Sequence, residues 1–423
     1  MSKKDRHYWP VLAIVLSFLL PACLPPGGSR YLRVDEVQRV PASFENAKSP
    51  CNEWESYVPD TLHPEHTPMR YVRINMHWMN TRDTAYDLKG HDMVRYTKNM
   101  VYAANYDLSK NKKMYLPHGN DTPALPIGVR LLLTPRPDDT TDDGIYFHYD
   151  DSLYYYVHKG KNRNLHKREV INQYGVQLDT VLNIFIMPHH PDSVDSPTYK
   201  AYGVGVALGN AVKISGVYDN HTKYDDYWSH RGVINHEVGH IYSLSHTWAS
   251  NDGCDDTPRH PQDCYVKGQS AHCDTSVSNN VMDYVAEQNS WSPCQIARVH
   301  RKMTDLGSKT RNYLLPTWCE LTDSLSISIR DTVEWPCHKD LNGHLTIASG
   351  GQLTIHCRLS MPPGAVIRVE PGGKLILQSS AWLHNACGEE WEGIQIGKKG
   401  SKSGEVVFIG APKLEDMRHP LDE

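Results

Sequence analysis

One short stretch constrains this chain more than any other: His236-Glu237-Val238-Gly239-His240, with a further histidine at His246. On an α-helix, residues four apart share a face and stand about 6 Å apart along the axis. Two imidazoles so placed can approach one zinc ion at about 2.1 Å each, and the adjacent Glu237 is positioned to hold and deprotonate a water. His246 then dictates a piece of fold. On a continuing helix it would lie about 15 Å along the axis from His236 and off the shared face. It joins the same metal only where the helix stops near residue 243 and the chain turns back.

With 24 histidines in 423 residues, a third one at a preset position arises by chance about 6% of the time. Three neutral imidazoles leave the fourth tetrahedral position open, which is what a catalytic zinc needs. Structural sites close it with Cys or His, and spacing fixes no such fourth ligand here.

The run H-E-V-G-H-I-Y-S-L-S-H-T-W resembles the metzincin signature H-E-x-x-H-x-x-G-x-x-H, and Asn280-Val281-Met282-Asp283-Tyr284 resembles its methionine turn. Asp252-Gly253-Cys254-Asp255-Asp256-Thr257-Pro258, taken with Ser292-Pro293-Cys294-Gln295, is similar to the pappalysin family, the relatives of pregnancy-associated plasma protein A. The resemblance covers roughly residues 180 to 310 well, 66 to 180 weakly, and the C-terminal region not at all. It implies a zinc metalloendopeptidase acting on protein or peptide substrates. His236, His240 and His246 would hold Zn2+, Glu237 would be the general base, and Met282 would form the floor beneath the metal. Tyr284 would be a catalytic donor toward the transition-state oxyanion. One position departs from the pattern: Ser243 stands where metzincins usually have glycine. The turn there often needs φ > 0, so Ser243 is expected to take up a strained backbone at a cost of about 1–3 kcal/mol.

Around this motif the hydrophobic pattern predicts an α/β arrangement, a twisted sheet plus the active-site helix. Arg70 to Met76 and Thr180 to Met187 read as strands, Lys98 to Leu108 and Lys167 to Tyr174 as helices, and Tyr227 to Leu244 as the helix carrying the histidines. Ser292-Pro293 is a helix start; Ile296, Val299, Met303 and Leu306 keep helical spacing up to a stop at Gly307. Beyond Cys319 short apolar runs recur between glycine-rich turns, for example Leu345-Thr346-Ile347, Leu353-Thr354-Ile355, Val366 to Val369 and Leu375-Ile376-Leu377. Such spacing means an all-β solenoid or a small sandwich. The expected organisation is a signal peptide over 1–23, a tether or pro-segment over 24–65, a metzincin-like domain over 66–316 and a β-rich region over 320–423. All proposed catalytic residues precede Cys319, so a chain ending near 316 is expected to stay folded. The alternative function is a surface binding protein with an inactive metzincin domain and a working β-rich region; the presence of Glu237 speaks against it.

A formal net charge of -5 gives no reason to expect nucleic acid as partner. Lys3, Lys4 and Arg6 precede an uncharged run from Val11 to Leu20, as in an export signal. Leu20-Pro21-Ala22-Cys23 resembles a lipoprotein box, with membrane attachment through lipidated Cys23 and a cell-surface or extracellular location. The ten cysteines suit that compartment. Apart from Cys23 they number nine, so at least one stays free or pairs elsewhere. Cys254, Cys264, Cys273 and Cys294 allow three pairings as loop-stapling disulfides. Cys51 reads either as a disulfide partner or as a thiolate capping the zinc in a latent form. Asp252, Asp255 and Asp256 form a candidate Ca2+ site or a solvated acidic loop.

Overall fold

A computed structural model describes residues 28–42, 49–82, 87–116, 119–156, 166–189, 204–220, 226–248, 252–257, 278–284 and 287–421. The export signal with Cys23, and the cysteines Cys264 and Cys273, lie outside the described residues.

Two short strands come first, β1 (Ser29–Tyr31) and β2 (Gln38–Val40). The N-terminal body then holds β3 (Arg70–Asn80), α1 (Gly90–Ser109), β4 (Val129–Leu133), β5 (Ile145–Tyr149), α2 (His166–Tyr174), β6 (Leu182–Ile186), β7 (Val204–Ala207), β8 (Ala211–Ser215), α3 (Arg231–Ile241) and α4 (Pro293–Thr304). Its sheet runs β4-β3-β6-β8-β7, with β5 continuing beside the second half of β3. Every pairing is parallel except β7 against β8. β6 and β8 are buried along their whole length, as parallel strands covered on both faces must be. α1 covers one face with Met93, Met100, Ala104 and Leu108, at the three- and four-residue spacing that makes one apolar stripe. Its Thr97 hydroxyl accepts the Trp78 indole N–H at 2.9 Å.

α4 starts as expected: Ser292 Oγ accepts from the Gln295 N–H, and Gln295 Oε1 accepts from the Ser292 N–H. Its end differs. The helix stops at Thr304, Asp305 is already extended, and Leu306 is 48% exposed rather than on the apolar face. The Asp305 carboxylate accepts the Gly307 N–H and so ends the helix earlier than the apolar spacing alone suggests.

The C-terminal body contains β9 (Ile327–Ile329), β10 (Thr332–Trp335), β11 (Lys339–Asp340), β12 (Leu345–Ile347), β13 (Gln352–Ile355), β14 (Arg358–Ser360), β15 (Val366–Val369), β16 (Lys374–Leu377), β17 (Trp382–His384), β18 (Gly393–Lys399), β19 (Lys402–Ser403), β20 (Glu405–Ile409) and β21 (Lys413–Leu414). Strands three apart stack in parallel, with β19 set aside as an antiparallel partner of β18, giving the sheets β9-β12-β15-β18, β10-β13-β16-β20 and β11-β14-β17-β21. Successive rungs place Ile327, Leu345, Ile367 and Ile394 in one column and Val333, Leu353, Leu375 and Val406 in another, all buried. Of the two expected architectures this is the solenoid.

Residues 29–40, read above as tether or pro-segment, belong to this solenoid. β1 lies antiparallel to β18 and β2 parallel to β20, so they extend its last rung. Farther along the chain, Cys51 is disulfide-bonded to Cys357, near the other end of the stack. Cys51 is therefore not a thiolate cap on a metal. Proline and charge suggest a loose segment; a strand partner more than 350 residues away is invisible to composition. Cys254 pairs with Cys294 and Cys319 with Cys387, while Cys337 is a buried free thiol.

The two bodies share a polar seam. Asp340, fully buried, receives Arg311 Nη1 at 2.8 Å and Arg358 Nη1 at 2.6 Å, and Arg70 Nη2 donates to its backbone carbonyl. Arg70 and Arg311 come from one body and Asp340 and Arg358 from the other. Trp318 lies under both Arg311 and Arg70.

Candidate metal centre

α3 carries the site because its inner face packs and its end turns. Ile234, Val238 and Ile241 are buried in the main core, which leaves His236, Glu237 and His240 on the adjoining face. Tyr242 caps the helix, and Ser243 follows with φ 71°. The Leu244 N–H bonds to Gly239 O and the Ser243 N–H to His240 O, both at 3.0 Å. This is a Schellman ending, with serine where glycine is usual. It reverses the chain within three residues and brings His246 back.

The result is a triangle. The Nε2 atoms of His236, His240 and His246 lie 3.2, 3.1 and 3.0 Å apart. Tetrahedral ligands at about 2.1 Å from one ion stand about 3.4 Å apart, close to these separations. Tautomers decide what the triangle is. His236 Nδ1 lies 2.7 Å from Val281 O, and His240 Nδ1 lies 2.8 Å from Leu244 O. Each Nδ1 must carry the proton to donate to a carbonyl, so each Nε2 presents a bare lone pair. Lone pairs converging at this distance repel unless a cation sits among them, so the donor set fits zinc. Burial pushes His236 down to about 3 and His246 to about 4, and lowers His240, which keeps the rings neutral as ligation requires.

Met282 is fully buried and packs on α3 where Gly239 leaves room; a Cβ there would come within 2.6 Å of its sulfur. The turn is held from below. Asn280 Oδ1 accepts the Met282 N–H, and the Asn280 and Gln295 amides exchange two hydrogen bonds of 2.9 Å. The capping box of α4 therefore also fixes the floor of the site.

Glu237 is 3% exposed and points toward β7, where the Ala207 backbone bonds to it. Gly205 lets the strand approach; a Cβ there would overlap the carboxylate. Oε2 of Glu237 has no partner among the described residues, and burial pushes the carboxyl up to about 8. Tyr284 stands over the rings, 4.9 Å from His246 and 5.9 Å from His236 between centroids, and is 43% exposed. All five residues expected at the site thus come together.

Two neighbours carry no sequence signal. Trp248 stacks on His246 at 4.0 Å with an interplanar angle of 11°. Gln288, at φ 34°, donates to Asp283 O and braces the turn against His236. In the acidic loop, two of the three carboxylates are engaged by neighbouring groups. Asp252 accepts from the Cys254 N–H and the Thr257 hydroxyl, and Asp256 from the Cys294 N–H at the start of α4. Among the described residues, no group able to hold a metal unites Asp252, Asp255 and Asp256.

No family model and no curated protein matches the chain. Among solved structures, mirolysin in complex with compound 9 is similar at a TM-score of 0.41 and 17% identity, covering 58% of this chain and 96% of that one. Mature mirolysin of Tannerella forsythia with a cleaved peptide gives 0.39 and 19%, covering 58% and 95%. A promirolysin mutant from the same organism gives 0.40 and 16%, covering 62% and 89%. At these scores and identities the functional reading rests on the site's own geometry.

Proposed function

We propose that this chain is an exported zinc metalloendopeptidase of the metzincin kind. The observation that carries it is the triangle of three imidazole Nε2 atoms, two of them fixed as bare lone pairs, beside an unpartnered carboxylate oxygen. His236, His240 and His246 would hold the zinc, which when bound would supply Lewis acidity toward a scissile carbonyl and lower the pKa of an attacking water.

The rest is done by the chain. Glu237 takes the proton from the attacking water and passes it to the leaving amine. With zinc held by the three histidines, its carboxyl would be drawn back toward the ionised form that this role needs. Tyr284 offers a phenolic donor where negative charge develops. β7 ends the described sheet beside Glu237, so its outer edge can align an extended peptide by strand addition. Three disulfides among the described residues suit an oxidising compartment and so favour export.

The test pairs metal analysis with cleavage of casein. Wild type should hold about one zinc per chain, and a chelator should abolish cleavage. His246→Ala should lose most of the metal. Glu237→Ala should keep it and lose about 10²–10⁴-fold in rate. A Glu237→Ala variant as active as wild type would overturn the proposal.

A further inference from the structure

A cavity of about 440 Å³ opens between the two bodies, behind the turn at Tyr242 and Ser243. One wall is α4, which presents Arg298, Arg301 and Lys302 at positions i, i+3 and i+4, on one face. The opposite wall brings Arg358 and His338 from the solenoid. Against four cations the lining holds a single carboxylate, Asp305, already engaged by the Gly307 N–H. Among the described residues, none of Arg298, Arg301 and Lys302 forms an ion pair.

What lies behind the wall adds to the imbalance. Arg358 belongs to the buried seam, where Arg70, Arg311 and Arg358 are 5, 7 and 3% exposed and share only Asp340. Three cations against one anion leave an excess of positive charge in the interior. Arg358 Nε, Arg70 Nη1 and Arg311 Nη2 are buried donors without a hydrogen-bond partner. Unpaired buried donors and excess charge of one sign are both costly; of the three arginines Arg358 lines the cavity, so an anion there offsets the excess charge at Arg358. His338 supplies a further donor. Its Nδ1 accepts the Arg358 backbone N–H at 3.2 Å, so its Nε2 carries the proton. Burial and the nearby Arg358 hold this ring at a pKa of about 4, so it stays a neutral donor at pH 7.

We infer that this cavity is a binding site for a phosphate group, either inorganic phosphate or a phosphomonoester on a small molecule. Arg301 and Lys302 provide the solvent-side contacts, and Arg358 with His338 the inner ones. Guanidinium forks and an ammonium suit a tetrahedral oxyanion with several acceptor oxygens. The volume exceeds that of one phosphate, which leaves room for water or for an organic carrier. The site is independent of the zinc reading, since none of its ligands touches the histidines.

The test is thermal unfolding of the full chain in inorganic phosphate and, separately, in glycerol 3-phosphate, each against sodium chloride of equal ionic strength. A bound anion should raise Tm by about 3–6 °C at roughly 20 mM, beyond the chloride control. The double variant Arg301→Gln, Lys302→Gln, both at the solvent side, should match wild type in chloride and lose the response. A response to both anions assigns the site to phosphate itself; one confined to glycerol 3-phosphate assigns it to a carried phosphate. No shift beyond chloride for either anion, or an undiminished shift in the double variant, overturns the inference.

Discussion

The body that carries the histidine triangle and the solenoid are built on opposite rules. In the first, single positions carry the outcome: Ser243 turns the chain, Gly205 admits β7, Gly239 admits Met282, and His246 completes the triangle of Nε2 atoms. In the second, positions repeat. Leu345 sits between Ile327 and Ile367 as Leu353 sits between Val333 and Leu375, and each rung buries what its neighbours bury. A site of singular positions is fragile in function at a few residues, whereas a stack spreads its stability over many. The seam between them is singular again, since one carboxylate, Asp340, answers three arginines across both bodies.

The seam gives the largest expected effect. Asp340→Ala leaves Arg70, Arg311 and Arg358 buried with no counter-charge, and breaking such a set costs about 3–5 kcal/mol. Urea unfolding followed in both bodies should show one early, joint transition. If the N-terminal body unfolds at its wild-type midpoint, the two regions are separate units after all. From the same seam we predict that a chain ending near residue 316 is destabilised. That chain would lose Trp318, part of the main core, and the Asp340 partner of Arg70 and Arg311.

Within the stack, Leu375→Ala should cost about 3 kcal/mol, from lost burial plus the cavity left behind. Because rungs contact only their neighbours, zinc content should be unchanged while the unfolding midpoint falls. Loss of zinc in this variant would mean the stack shapes the active site directly.

How much of this was legible follows the same division. The histidine helix, its stop and the return of His246 could be read because the signal is local: ligand spacing on a helix admits few geometries. The strands at β3 and β6 and the rungs after Cys319 could be read from apolar periodicity. Solenoid and sandwich remained equal, since short apolar runs between glycine turns suit either until pairing is known. The seam, the last rung supplied by residues 29–40, and the contacts of Trp248 and Gln288 are all non-local. Arg70, Arg311 and Arg358 look like ordinary surface arginines until the fold places Asp340 among them.

Acid should weaken the molecule through its buried histidines. His300 is 8% exposed and donates from Nε2 to Ile127 O at 2.7 Å, and burial lowers its pKa to about 4. In the unfolded chain the ring titrates near 6.5, so below that pH the unfolded state takes up the proton first. The stability is therefore present above about pH 6.5 and lost as the pH falls toward 4. For His300 alone the loss should be about 2 kcal/mol, below the ceiling set by the full shift at 1.36 kcal/mol per unit. Comparing unfolding at pH 7 and 4.5 in wild type and His300→Gln measures it. An equal acid loss in both proteins would assign the effect to other groups, such as His230 or His384, which burial also holds near 4.

The smallest effect comes from the residue on which the zinc reading turns. Ser243 adopts φ 71°, where a Cβ crowds its own backbone, and its side chain is exposed. Strain of this kind costs about 1–3 kcal/mol, and glycine removes it. Glycine also gives the unfolded chain more freedom, which takes back much of the gain. Ser243→Gly should therefore stabilise by less than about 1 kcal/mol. Both backbone bonds of the turn, Leu244 N–H to Gly239 O and Ser243 N–H to His240 O, are indifferent to the side chain, so zinc content and cleavage rate should not change. Paired urea titrations with metal analysis decide the matter. A variant that binds zinc less tightly would show that the serine hydroxyl, and not only the left-handed backbone, brings His246 to the metal.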